Sequence, residues 1–176
     1  MEGLKGFALL AGKNAEELWP ALNVIMLTWA LLALAPRYKH TPTLTLVAPV
    51  VVATLYTLIV LSLLVAPDEP GSPPDFFSLQ GVVTMFQDPN AVFGGWVHYC
   101  CYDALVGRWI LMDSVKRGAS TVVHVLVIIP TLFLSMMFGP AGWLLYLSVV
   151  RTVILPDANG GVNAAIRDGG VEAKKL

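Results

Sequence analysis

The chain has 176 residues, 56% of them hydrophobic and only 13% charged, with a formal net charge of −1 and a mean hydropathy of +0.71. A soluble domain carries about 25% charged residues, and a chain this short cannot hide so much apolar surface in one water-facing core. The composition therefore points to an integral membrane protein and excludes a disordered chain, a collagen-like fibre, a disulfide scaffold and, for want of a basic surface, a nucleic-acid partner.

In chain order, residues 1–17 form an N-terminal segment whose apolar run, 7–11, is too short for a secretory h-region. Four apolar stretches follow, at about 18–35, 44–66, 91–112 and 122–150, against the roughly 20 residues a spanning helix needs. The last would run to about 43 Å, well past a bilayer core of about 30 Å. Pro130 and Gly139-Pro140 lie within it, so a kink or break is expected near Gly139-Pro140. Between the second and third stretches, Asp75 is a candidate N-cap. Phe76, Leu79, Val83 and Phe86 then form one apolar stripe, which predicts a short amphipathic helix on the membrane surface. Residues 152–176 read as a flexible, Gly-rich tail. The expected fold is thus all-α: a four-helix transmembrane domain over 18–151 with one interfacial helix between helices 2 and 3.

Connection 36–42 carries Arg37, Lys39 and His40, and 113–120 carries Lys116 and Arg117. Connection 67–90 has no Lys or Arg and four acidic residues. The positive-inside rule places the two basic connections on the cytoplasmic or equivalent side. An even number of spans would leave both termini on the other side, with Lys5, Lys13 and Arg151 against the rule.

The third stretch is where chemistry is expected. His98, Asp103 and Arg108 lie within it, and ionisable groups at membrane depth are costly, face the bundle interior as a rule, and mark function. On one helix, His98 and Arg108 project about 80° apart and Asp103 about 140° from each. Asp103 is therefore expected to meet a polar group of another helix, with Asn23, Thr28, Tyr56 and Thr57 as candidates. Gly94, Gly95, Ala104 and Gly107 would let a flat ligand or another helix approach closely. Trp19, Trp29, Trp96, Trp109 and Trp143 fall near predicted helix ends or within the helices and read either as an aromatic belt or, with Tyr99 and Tyr102, as the lining for such a ligand. Two other readings stand beside this one. The polar residues could simply tie helices together, or His98 could ligate a metal or chlorophyll, although no second ligand sits at metal spacing. Cys100 and Cys101 read as packed, reduced small residues. His40 and His124 fall near connections, where water would satisfy them cheaply. No nucleotide, nucleophile or zinc motif is present.

Trp96-Val97-His98, with Asp103 and Arg108 at successive five-residue steps, resembles the abscisic-acid-deficient-four family of neoxanthin synthase-like plastid, cyanobacterial and algal membrane proteins. Trp29 with Ala35-Pro36, Phe77-Ser78-Leu79-Gln80-Gly81, Met85-Phe86 and Phe138-Gly139-Pro140-Ala141-Gly142 fit the same family in order. The resemblance implies four transmembrane helices and a part in forming neoxanthin from violaxanthin, an epoxide-to-allene isomerisation. It brings no established mechanism or cofactor. On this basis the expected function is xanthophyll formation or binding in a thylakoid, inner-envelope or cyanobacterial-type membrane. The protein would be a carotenoid isomerase or the essential partner of one. His98, Asp103 and Arg108 would be the catalytic residues, with Gly95, Trp96, Tyr99, Tyr102, Gly107 and Trp109 around the carotenoid. The alternative is a non-catalytic subunit of a photosystem or light-harvesting assembly that binds carotenoid or chlorophyll and contacts other membrane subunits.

Overall fold

A computed structural model describes residues 10, 12–65 and 75–156 of the chain. Most of the expected tail, the start of the N-terminal segment and residues 66–74 lie outside the described residues. All regular elements among the described residues are helical; the sole pairing of extended chain is an isolated bridge between Leu10 and Lys13. We number six helices: α1 (Ala15–Leu34), α2 (Thr41–Val65), α3 (Leu79–Met85), α4 (Pro89–Lys116), α5 (Thr121–Phe138) and α6 (Pro140–Ile154). The chain forms two compact units, Met1–Leu105 and Val106–Leu176, with the boundary inside α4.

In the first unit, α1 starts three residues before the apolar stretch because Asn14 and Glu17 close a capping box, each side chain accepting from the other residue's backbone N–H at 3.0 Å. Pro20 lacks an N–H, and the helix tightens to 3₁₀ turns over Trp19–Val24. Pro49 stands inside α2. It cannot donate to the Thr45 carbonyl one turn back, and that freed oxygen accepts from the Thr28 hydroxyl of α1 at 3.4 Å. The Thr41 hydroxyl in turn donates to the Ala35 carbonyl where α1 ends, at 2.6 Å. The core of this unit is Leu22, Ile25, Trp29 and Leu32 of α1, Ala48, Val52 and Ile59 of α2, and Phe93, Val97, Cys101 and Ala104 of α4.

The short helix α3 departs from expectation. Its N-cap is Ser78, whose hydroxyl accepts from the Gly81 N–H at 3.0 Å. Asp75 lies outside the helix and holds the cap in place, accepting from the Ser78 hydroxyl and, at 2.9 Å, from the Phe77 N–H. A Cβ on Gly81 would collide with the Asp75 backbone. The Phe77-Ser78-Leu79-Gln80-Gly81 run is therefore one capping device, and Phe76 precedes the helix.

In the second unit, α4 ends in a Schellman motif: Gly118, at φ 80°, donates to the Val115 carbonyl, and Ala119 to Ser114. Ser120 then caps α5 by accepting from the Val123 N–H at 3.2 Å. The expected single long fourth helix is instead two helices. Gly139 has φ 34° and ψ −91°, outside the helical region, and separates α5 from α6. A Cβ on Gly142 would fall on the backbone of Ser135. In one straight helix these residues, seven apart, would stand about 10 Å from each other. The chain thus doubles back at Gly139, and α5 and α6 are a hairpin. The break near Gly139-Pro140 is where the sequence placed it, but it is a reversal of direction.

Among the described residues, three helical segments are long and apolar enough to cross a membrane: Ala15–Leu34, Thr41–Ser62 and Thr121–Phe138; α6 is apolar but shorter. The long helix α4 is outside this class, since Asp103, Arg108, Asp113 and Lys116 lower its hydropathy.

Candidate functional site

The predicted site residues all lie on α4, and the helix distributes them over different faces. Phe93, Val97, Cys101 and Ala104 form the buried stripe, and the Cys101 thiol donates to the Pro49 carbonyl at 3.5 Å. The interior position expected for the ionisable residues is thus taken in the first unit by small and apolar side chains. His98 is exposed and Asp103 half-buried.

His98 lies in an aromatic array. Its ring stacks on Tyr102, with centroids 4.6 Å apart at 23°, and meets the edges of Tyr56 at 5.4 Å and Tyr99 at 6.2 Å. Tyr99 and Tyr102 are about 60% exposed. Asp103 is elsewhere on the helix. Val92, Trp96, Tyr99 and Asp103 are spaced four, three and four residues apart, which puts them on one stripe. Among the described residues no hydrogen bond or ion pair reaches Asp103. Two of its expected partners are committed otherwise: the Thr28 hydroxyl donates to Thr45 and the Thr57 hydroxyl to the Ala53 carbonyl. Tyr56 turns its ring to His98. Gly95 faces the Phe86 ring, 3.0 Å from where its Cβ would be, so the space beside it is filled by a neighbouring side chain.

At the start of α4 the aromatic stripe meets a groove. Trp19 of α1 stacks on Trp96, with centroids 6.0 Å apart at 23°, and tilts against Phe93 at 6.2 Å. Beside them lies a cavity of about 530 Å³ lined by Glu16, Trp19, Pro20, Gln87, Val92 and Phe93, among others. The aromatics of both helices, Trp19 of α1 and Trp96 of α4, were legible in the sequence; their pairing, and the approach of Gln87 after α3, were not, because both depend on which faces of α1 and α4 meet.

In the second unit, Gly107 is buried and Arg108 half-buried. Trp109 sets its face to the edge of Tyr146 at 5.5 Å, with the Arg151 guanidinium 5.9 Å from its ring centroid. These contacts belong to a cluster that the sequence reading missed. The Asp113 carboxylate accepts from Arg117 Nε at 2.7 Å, from the Tyr146 hydroxyl at 2.8 Å and from Arg151 Nε at 3.1 Å. Arg117 also donates through Nη1 to the Leu155 carbonyl at 3.1 Å. Tyr146 and Arg151 would point about 140° apart on an α-helix. Residues 146–154 form π-type turns, whose i→i+5 bonding aligns residues five apart. Two arginines face one carboxylate and two helix C-termini, each equivalent to about half a negative charge. The cluster acts as a clasp between α4 and α6. His124 is buried, not solvated as expected near a connection, because its place one turn after Ser120 turns it inward.

Residues 18–146 match the model of the family described as ABA DEFICIENT 4-like. The chain belongs to that family. No curated protein and no solved structure matches the chain. The family match covers α1 through the first residues of α6, so both Gly-containing runs named above, 77–81 and 138–142, fall inside it. In this family member they serve as a helix cap and a hairpin turn.

Proposed function

We propose that this protein acts in xanthophyll formation in a plastid or cyanobacterial-type membrane, with a carotenoid lying along the open face of α4. Family membership supports the substrate class. The geometric observation that carries the reading is the stripe Val92, Trp96, Tyr99 and Asp103, which leads from an apolar groove to a half-buried carboxylate. An isomerisation conserves atoms, so it needs a base to remove one proton and an acid to return one. Asp103 is our candidate base, and Tyr99, one turn earlier on the same stripe, the hydroxyl that would polarise a substrate oxygen. His98, whose ring meets both Tyr99 and Tyr102, contacts the pigment through its exposed ring. In this reading α4 crosses the bilayer, α6 enters it paired with α5, and α3 lies in the headgroup region.

The test expresses Asp103→Asn and His40→Gln in a host lacking the endogenous protein and follows xanthophyll composition together with pigment co-purification. His40 is exposed and serves as the control. Loss of neoxanthin-type products in Asp103→Asn at normal accumulation supports the reading; unchanged products and bound pigment remove it.

A second reading, a non-catalytic pigment-binding or linker subunit of a photosynthetic assembly, is favoured by the outward exposure of His98, Tyr99 and Tyr102. It also covers chlorophyll as the bound pigment. Its signature is pigment co-purification that depends on α4 while xanthophyll composition never changes.

A further inference from the structure

We infer that the groove at the start of α4 is an anchoring subsite for one hydroxylated end ring of a carotenoid. The inference rests on the reading above that this protein binds such a molecule, and it assigns a place and a polarity to that binding.

The groove has the parts such a ring needs. Its volume of about 530 Å³ falls in the usual range for small-molecule sites, about 300–1,000 Å³. Trp19 and Phe93 form one apolar wall, and Trp96 extends that wall out of the groove by stacking on Trp19. The polar side chains in the lining are Glu16 and Gln87. Glu16, one residue before the capping Glu17, is exposed and lies in the first turn of α1. A carboxylate accepts hydrogen bonds and repels anions. This charge pattern suits a neutral alcohol and disfavours a fatty acid or an anionic lipid headgroup.

The groove also continues in one direction. From Val92 the stripe passes Trp96 and Tyr99 to Asp103, about 16 Å along the helix at about 1.5 Å per residue. A long, flat, apolar rod with a polar ring at its end fits this layout, ring in the groove and rod on the aromatics. Bound this way, the ring lies far from Asp103. The groove is therefore an anchor that sets the register of the rod, separate from any proton transfer at Asp103.

The full chain in nanodiscs tests this, with zeaxanthin (two hydroxylated rings) and β-carotene (none) as probes and quenching of tryptophan fluorescence as the readout. We expect zeaxanthin to bind at least about fivefold more tightly than β-carotene, the worth of about one hydrogen bond. Val92→Trp, which fills the groove from an exposed position, should weaken zeaxanthin binding about tenfold. Glu16→Ala, which removes the acceptor, should shrink the preference for zeaxanthin to about twofold or less. Glu16 is exposed, so this variant decides the matter even if Val92→Trp does not accumulate. Equal affinity for the two probes, or wild-type affinity and preference in both variants, overturns the groove assignment and leaves carotenoid binding standing. If the wild-type chain binds neither probe, the functional reading fails, and this inference fails with it.

Discussion

At the scale of single residues, two glycines on this chain have opposite surroundings. A Cβ on Gly142 would meet the Ser135 backbone, whereas a Cβ on Gly94 would meet nothing within 4 Å. We predict that Gly142→Val forces the hairpin apart and costs about 3 kcal/mol or more, as overpacking against backbone does. Gly94→Ala, in a helix with open space, should gain up to about 1 kcal/mol. Thermal denaturation in detergent compares them directly; equal shifts for the two variants would contradict the hairpin contact. Asp113, beyond the apolar part of α4, gives a pH prediction. Burial pushes its carboxyl up, but hydrogen bonds from Tyr146 and Arg117 and the charges of Arg117 and Arg151 more than reverse this and hold it below its usual range. A group depressed in the folded state contributes stability that is present above its unfolded pKa, about 3.9, and is lost as pH falls through the lower folded value. The Asp113 contribution should therefore stay constant from pH 8 to about 5 and fade only in stronger acid. Asp113→Asn should cost about 2 kcal/mol across that plateau, and its deficit relative to wild type should shrink as the acid limb is entered. A deficit that instead varies between pH 6 and 8 would mean the carboxyl titrates there.

At the scale of elements, Pro49 and Thr28 form a linked pair. Pro49 frees the Thr45 carbonyl, and the Thr28 hydroxyl takes it up. Thr28→Val should cost about 1 kcal/mol, the usual net worth of one such bond. In a Pro49→Ala background, where a restored N–H can bond Thr45 within α2, the same change should cost much less. A double-mutant cycle on unfolding reads the difference; additive costs would break the link. Much of this level was legible beforehand. The first three apolar runs fall on α1, α2 and α4, the fourth covers both α5 and α6, and proline and glycine marked where it divides. Direction was what the sequence hid. Pro140 after Gly139 signals an interruption, but a kink and a reversal use the same residues. The Gly142–Ser135 approach that decides between them is a contact across seven positions, which no helical period shows. The site was only partly legible for a related reason. His98, Asp103 and Arg108 were visible as charges in an apolar run, but the faces they occupy depend on which side of α4 is buried. Asp113 and Arg151 were visible only as flanking charges, because their meeting needs both the hairpin and the π-type turns of α6.

At the scale of the whole molecule, the proposed reading, with α5 and α6 entering the bilayer as a pair, changes where the chain would leave the membrane. The Arg117–Leu155 hydrogen bond and the Arg151–Asp113 pair set the end of α6 beside the end of α4. In that reading the two basic positions would face the same side, and Arg151 would satisfy the charge rule. We predict that Lys116→Cys and Pro156→Cys react with a membrane-impermeant maleimide from the same side. Labelling of Pro156→Cys together with Phe77→Cys, as a single fourth span would require, is the contrary result.

The one-residue turn at Gly139 also bears on how the protein is made. In the reading that places α5 in the bilayer, the absence of a loop means that α6, an apolar helix shorter than a full span, would have to enter with it. Arg151, near the end of α6, then reaches back to a carboxylate synthesised nearly forty residues earlier. A chain that stopped before that arginine would keep the turn at Gly139 and lose the clasp.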